Sequence, residues 1–345
     1  MPTRRQLALL AAPALLLGRG AAAQEVTLRL HHFLPAVSNV HRFFLQPWAQ
    51  KVARESNNRL RIQIFPAMQL GGAPPQLFDQ ARDGVADIIW TLPGNTPGRF
   101  PRIEVFELPF VSHKKAIVNC LAVQEFAEAQ LREEFREVHP LCVWGHGEGL
   151  IHARREVKVM EDLRGLKLRF PSRLNGEALR ALGAAPVGMP VPQVPEALSQ
   201  GVIDGAVVPW EVVPSIRLQE MVKFHTEIPG SPTLYIATFI LAMNKAKYAE
   251  LAPELRAVLD ANSGAAAARM AAVPWDERNP VVEAEARRRG NQITVITEAE
   301  KARWVEATKP VVENWLAQTR ERGLDGAALL EQARALVAKH GAGIG

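Results

Sequence analysis

The chain holds only two cysteines in 345 residues, Cys120 and Cys142. Two residues cannot frame a disulfide-built fold. Cys120 falls in a helical pattern and Cys142 in an apolar strand pattern, which favours two buried free thiols over a bridge. There is no long Lys/Arg run, and nothing signals nucleic acid. The one basic cluster, Arg287 to Arg289, ends a helical pattern, where cations suit the helix dipole. After the first residues no apolar run is long enough to span a membrane. The chain also lacks a G-x-S-x-G nucleophile motif, a complete dinucleotide-binding fingerprint, internal repeats and low-complexity tracts. What remains is ordinary: 48% hydrophobic and 22% charged residues, with length for two domains.

The first stretch stands apart. "MPTRRQLALLAAPALLLGRGAAAQ" has a basic start, an apolar run from Leu7 to Leu17, and Ala21 to Ala23 before Gln24. This is the pattern of a cleaved secretory signal over residues 1–23. Arg4-Arg5 fits a twin-arginine signal only loosely, so the ordinary export route is expected. No cysteine follows to carry a lipid anchor. Removing the segment takes away three arginines and no acid, so the net charge drops from +5 to +2. The expectation is a soluble periplasmic protein.

The rest alternates strand and helix. "VTLRLHHF", "RLRIQIFP", "VADIIWT", "PLCVWGHG", "GLKLRF", "VIDGAVVP", "FHTEIP", "YIATFILAMN" and "QITVIT" read as strands. Amphipathic stretches separate them, the first capped by Ser38 or Asn39 and the next opening at Pro74-Pro75. From Pro253 to about Gly290 the pattern is one long helix of roughly 55 Å, which Pro274 and Pro280 must kink or break. Such alternation predicts an α/β fold with open, mostly parallel sheets, whose ligands sit outside the carboxyl ends of strands. The residues to read are therefore His31, His32 and Phe33; Thr91, Leu92 and Pro93; Gly145 to Gly149; Arg169; and Pro209, Trp210 and Glu211. Few can act as acid or base, which describes a binding pocket better than a catalytic one.

Each candidate has a plainer reading. His31, His32 and His41 could hold a metal, but adjacent strand residues point to opposite faces. "GHGEG" follows a strand, yet no helix starts there to bind phosphate; its glycines suit close backbone approach at a ligand or hinge. Asp204, before Gly205, reads as a turn residue. Glu211 either orients Arg169, touches ligand or caps a helix. Trp210 is either a wall of the site or core. In "DLRGLKLRFPS", Leu166, Leu168 and Phe170 alternate with Lys167 and Arg169, so Arg169 is either a solvated charge or an anion holder.

Taken in order, "FPAMQLGG" (65–72), "DGVADI" (83–88), "ELPF" (107–110), "DLRGLKLRFPS" (162–172), "ALSQGVIDG" (197–205) and "FILAMNKAKY" (239–248) resemble the solute-binding proteins of tripartite ATP-independent periplasmic (TRAP) transporters, the DctP-like family. The resemblance covers essentially the whole chain after the signal. It implies a flytrap of two α/β domains with mixed, mostly parallel sheets, hinge strands and a long domain-spanning helix. The expected division is 24–147 plus roughly 235–275, then 148–234 plus roughly 276–300, with C-terminal helices over 301–345 packing across both. It implies that Arg169 pairs side by side with a substrate carboxylate, as a planar, permanently charged fork can. Arg173 is expected on the surface. Sugar-acid binders of the family carry a second arginine where this chain has Gly149 and an asparagine where it has Val208. Polar positions after the first and third strands become Phe33 and Leu92, and Val191 is apolar too.

A polyhydroxylated ligand would leave hydroxyls unpaired on such a wall, at about 1–3 kcal/mol each. The expected ligand is a monocarboxylate with an apolar or aromatic body, a 2-oxo or 2-hydroxy acid. The expected contacts are Arg169, Trp210, Phe33, Leu92, Thr91, His32, Gly149, Val191, Val208, Glu211 and Tyr235. A C4-dicarboxylate would need a second cation from His31, His32 or His146. The resemblance further implies docking on a permease of a small and a large membrane subunit, driven by sodium rather than ATP, with no cofactor and no catalysis. An exported metal-binding protein remains the alternative if the three histidines converge. An exported enzyme would need an acid/base pair that the sequence does not display.

Overall fold

The structure is a computed structural model that describes residues 25–344. The export segment and its cleavage site lie outside the described residues. Eleven strands are present among them: β1 (Val26–His32), β2 (Leu60–Phe65), β3 (Ile88–Thr91), β4 (His139–Gly145), β5 (Leu150–Ala153), β6 (Lys167–Phe170), β7 (Ala185–Gly188), β8 (Gly205–Val208), β9 (Phe224–Glu227), β10 (Thr238–Met243) and β11 (Gln292–Val295). They build two sheets, in the orders β2-β1-β3-β10-β4 and β11-β9-β5-β8-β6-β7. β3 and β8 are buried along their whole length and, apart from Thr91, apolar, as central strands covered on both faces must be. Each sheet has one strand that pairs antiparallel to both neighbours: β10 in the first and β5 in the second. These are the strands the chain enters as it crosses from the other sheet, after β9 and after β4.

The two crossings run side by side. Gly149 N–H donates to Tyr235 O at 3.2 Å and His146 N–H to Ala237 O at 3.4 Å. The glycines of "GHGEG" permit this approach. A β-carbon on Gly145 would stand 2.4 Å from Ile236 Cδ1, and one on Gly147 would stand 2.8 Å from Lys114 O.

The single helix expected from Pro253 to Gly290 is three: Pro253–Ala261, Gly264–Asp276 and Asn279–Arg288. The first break falls at Ser263, which is extended, and Gly264, at φ +58°. Pro280 stands in the first turn of the third helix, where its missing N–H is no loss. Pro274 lies two residues before the second helix ends. The helix that reaches from one sheet's core to the other is instead Glu298–Glu321, of 24 residues, capped by Thr297 Oγ1 accepting from Glu300 N–H at 3.1 Å. At about 1.5 Å per residue it runs roughly 36 Å. Its Trp304 is buried in the apolar cluster around Leu163 and Leu168, and its Trp315 in the cluster of the first sheet.

The larger cluster continues across the cleft into Val191, Val208 and Val212, so the two lobes are pressed together. Polar contacts also cross. Arg173 Nη2 meets Glu104 Oε2 at 2.7 Å, which makes Arg173 a lobe-to-lobe ion pair rather than a free surface charge. Cys120 and Cys142 are both buried free thiols, and burial pushes both thiols up.

Candidate functional site

Strand alternation aims Arg169 off β6 toward the cleft, but not into water. It is 3% exposed, so the solvated-face reading fails. Nε donates to Met189 O at 2.8 Å and Nη1 to Val207 O at 3.3 Å. Among the described residues no carboxylate pairs with it. Burial pulls the guanidinium down to about 10, which leaves it a cation at neutral pH. A buried cation held only by carbonyl dipoles is costly unless an anion joins it.

The cavity beside Arg169 lies between the lobes and is mostly apolar. Its aromatic wall is continuous. Ring centroids are 4.8 Å apart for Phe33 and Trp90, 5.8 Å for Trp90 and Phe239, and 5.6 Å for Phe239 and Trp275. His146 and Tyr235 continue it edge-to-face at 5.7 Å. The cavity measures about 50 Å³ for the centres of water-sized molecules, against the ~10–15 Å³ that one water needs.

Three polar side chains join Arg169 there. Tyr235 is 2% exposed and its Oη has no hydrogen-bond partner; burial raises its pKa, keeping the phenol protonated. His146 is neutral: Nε2 accepts from Ala237 N–H at 2.8 Å, Nδ1 meets Gly147 O at 2.6 Å, and burial pulls it down to about 4. Glu211 does not orient Arg169. Its Oε1 accepts from Val40 N–H at 3.1 Å and its backbone oxygen from Asn39 Nδ2 at 2.7 Å, both across the cleft. Burial pushes its carboxyl up to about 8.

Of the expected ligand contacts, Arg169, Phe33, Leu92, Val191, Val208, Glu211 and Tyr235 line the cavity. Four do not. Trp210 turns away from the cavity along the same face of the second sheet, where its ring packs on His152 and His225 and Nε1 donates to Glu227 at 3.0 Å. Thr91 is buried with Oγ1 bonded to Pro74 O at 3.4 Å. His32 meets His41, Nε2 to Nδ1 at 2.9 Å. Gly149 shapes the site only indirectly, by making room for Tyr235. His31 turns to Gln80 at 2.7 Å, so the three histidines do not converge. Burial also lowers the pKa values of His31 and His32, and neither supplies a second cation. Among the described residues no group of three or more His, Cys, Asp or Glu side chains is placed to hold a metal ion.

Sequence reasoning missed Trp90, Phe239 and Trp275. Trp90 precedes Thr91 in β3, so parity alone could have chosen it. Trp275 arrives on a distant helix and gives no local signal.

Two lobes closed on a buried cavity that, among the described residues, presents an unpaired cation form a site suited to clamping a small anion. The chain belongs to the bacterial extracellular solute-binding protein family 7, whose model matches residues 30–319. Among solved structures it is similar to a TRAP solute-binding protein from Rhodoferax ferrireducens T118 in complex with copurified benzoate. That match has 44% identity and a TM-score of 0.89, over 92% of this chain and 99% of that one. A marine metagenome TRAP solute-binding protein specific for aromatic acid ligands, with 3-hydroxybenzoate, is 43% identical at a TM-score of 0.90 over the same shares. A third, from Bordetella bronchiseptica with bound (R)- and (S)-mandelate, is 29% identical at 0.84, over 91% and 99%. No helix among the described residues is long and apolar enough to cross a membrane.

Proposed function

We propose that this protein is the periplasmic receptor of a TRAP transporter and binds a small aromatic monocarboxylate. One observation carries the reading: Arg169, buried without a carboxylate partner, stands at an aromatic-walled cavity. The carboxylate takes the free face of the guanidinium and the unpartnered Tyr235 Oη. The ring lies among Phe33, Trp90, Phe239 and Trp275, where offset and edge-to-face packing is favourable. The benzoate, 3-hydroxybenzoate and mandelate bound by similar proteins support this class. A dicarboxylate meets no second cation among the described residues of the cavity, because burial keeps His146 neutral. The signal-like segment at 1–23 delivers the protein to the periplasm, and the closed, liganded form hands the acid to the permease subunits.

The test is a thermal-shift screen of the mature protein with benzoate, 3-hydroxybenzoate, mandelate, galactonate and succinate. A ligand at 100 times its Kd stabilises by about 2.7 kcal/mol. Shifts from the aromatic acids alone support the reading. Shifts from galactonate or succinate, with none from the aromatic acids, overturn it.

A further inference from the structure

Arg169 accounts for one end of an aromatic acid. The cavity presents a second polar group that a simple aromatic acid would leave unmet. Glu211 is 2% exposed and lines the cavity together with Phe33, Val208 and Val212. Only Oε1 is engaged, by Val40 N–H at 3.1 Å. Oε2 keeps accessible surface, and among the described residues neither a cation nor a second donor reaches the carboxyl.

The position of this carboxyl is held from both sides. Asn39 Nδ2 donates to the backbone oxygen of Glu211 at 2.7 Å, so the residue is clasped to the opposite lobe at two atoms when the cleft is shut. Val40 sits at the head of the helical stretch that continues into His41–Leu45 and Gln46–Glu55. A side chain clasped in this way is preorganised, and its free oxygen has a fixed aim. Burial pushes the carboxyl up to about 8, so at neutral pH Oε2 carries a proton and can donate as well as accept.

A buried polar group facing a bare ring edge is left unpaired, whereas a ring hydroxyl would complete its hydrogen bonds. A second carboxylate would instead add charge with no cation to meet it. A hydroxyl next to the ligand carboxylate would meet Arg169 and Tyr235, because Glu211 and Arg169 do not pair. We propose that Glu211 is a specificity-determining residue that hydrogen-bonds a phenolic hydroxyl on the ring of the bound acid. The preferred ligands are then hydroxylated aromatic monocarboxylates rather than unsubstituted ones. This rests on the aromatic-acid reading of the same site.

The experiment compares Kd for benzoate, 3-hydroxybenzoate and 4-hydroxybenzoate by calorimetry in the wild type and in Glu211→Met. The ratio between a hydroxybenzoate and benzoate cancels any loss of lobe closure, which affects both ligands alike. At least one hydroxybenzoate binds the wild type about tenfold or more tightly than benzoate, and in Glu211→Met that ratio falls to about one. No preference in the wild type, or an unchanged ratio in the variant, overturns the proposal while leaving the aromatic-acid reading intact. If none of the three acids binds the wild type, both fall together. Should Glu211→Met not fold, a crystal structure of the wild type with its preferred hydroxybenzoate decides. A hydroxyl oxygen within hydrogen-bond reach of Glu211 Oε2 supports the assignment, and one placed elsewhere overturns it.

Discussion

The ring of Tyr235 lies against the bare α-carbon of Gly149: a β-carbon there would stand 2.1 Å from Tyr235 Cζ and 2.2 Å from Cε1. The φ of Gly149 is not in the left-handed region, so space rather than backbone conformation demands glycine. Gly149→Ala therefore has to move a buried ring that stands beside Arg169. Overpacking of this kind costs about 1–3 kcal/mol. The variant should melt several degrees lower and bind its acid at least tenfold more weakly. Unchanged melting temperature and affinity would show that Tyr235 is free to step aside.

Arg169 makes a contrasting case, because its removal relieves the free protein. Arg169→Met takes away an uncompensated buried cation and keeps an apolar stem. The unliganded variant should be as stable as the wild type or about 1 kcal/mol more so. The ligand-induced thermal shift should vanish. A retained shift with benzoate would reassign the carboxylate site.

Arg173 and Glu104 hold the lobes together at 2.7 Å, with side chains 27% and 12% exposed. Partial exposure and the second partner Glu177, at 2.8 Å, limit what the pair contributes. A double-mutant cycle on ligand dissociation should give a coupling of about 0.5–1 kcal/mol, seen as faster release in each single variant. The same cycle on unliganded stability should be close to zero if the free protein opens. Equal coupling in both measurements would mean that the cleft stays shut without ligand.

Glu211 carries a pH signature. Its carboxyl is pushed up to about 8 in the folded chain, against 4.5 as its ordinary value. Between those pH values the folded state holds a proton that the unfolded state has lost, so the contribution of Glu211 to stability falls as pH rises. The buried histidines, whose pKa values are lowered, push the other way near their own range, so the informative quantity is the difference from Glu211→Gln. In denaturant titrations the wild type should lose ground to that variant by about 1.4 kcal/mol per pH unit between roughly pH 5 and 8. A difference that does not vary with pH would mean the carboxyl is ionised throughout.

Much of this was legible in the chain itself. The alternation of Leu166, Leu168 and Phe170 with Lys167 and Arg169 placed the guanidinium on the correct face, and the strand end placed it at the cleft. Phe33 and Leu92 followed from the same strand-end rule, whereas Val191 and Val208 were reached only through the family resemblance. Trp210 did not, because the chain enters a helical turn right after Pro209 and lays the indole over His152 and His225 instead of the cavity. Trp275 and Phe239 were out of reach, because they come from the returning part of the chain and meet the site only through tertiary packing. The long helix was misplaced because Ser263 and Gly264 interrupt a pattern whose apolar period carries on across them.

The chain passes from one sheet to the other after β4, returns after β9 and passes again between Asp276 and Asn279. Neither lobe is therefore a continuous stretch of sequence. No single cut separates the two lobes as whole pieces, so a new half with a new specificity cannot be spliced in as a cassette. Changes of diet in such a lineage must come one wall residue at a time, within a cavity that both lobes share.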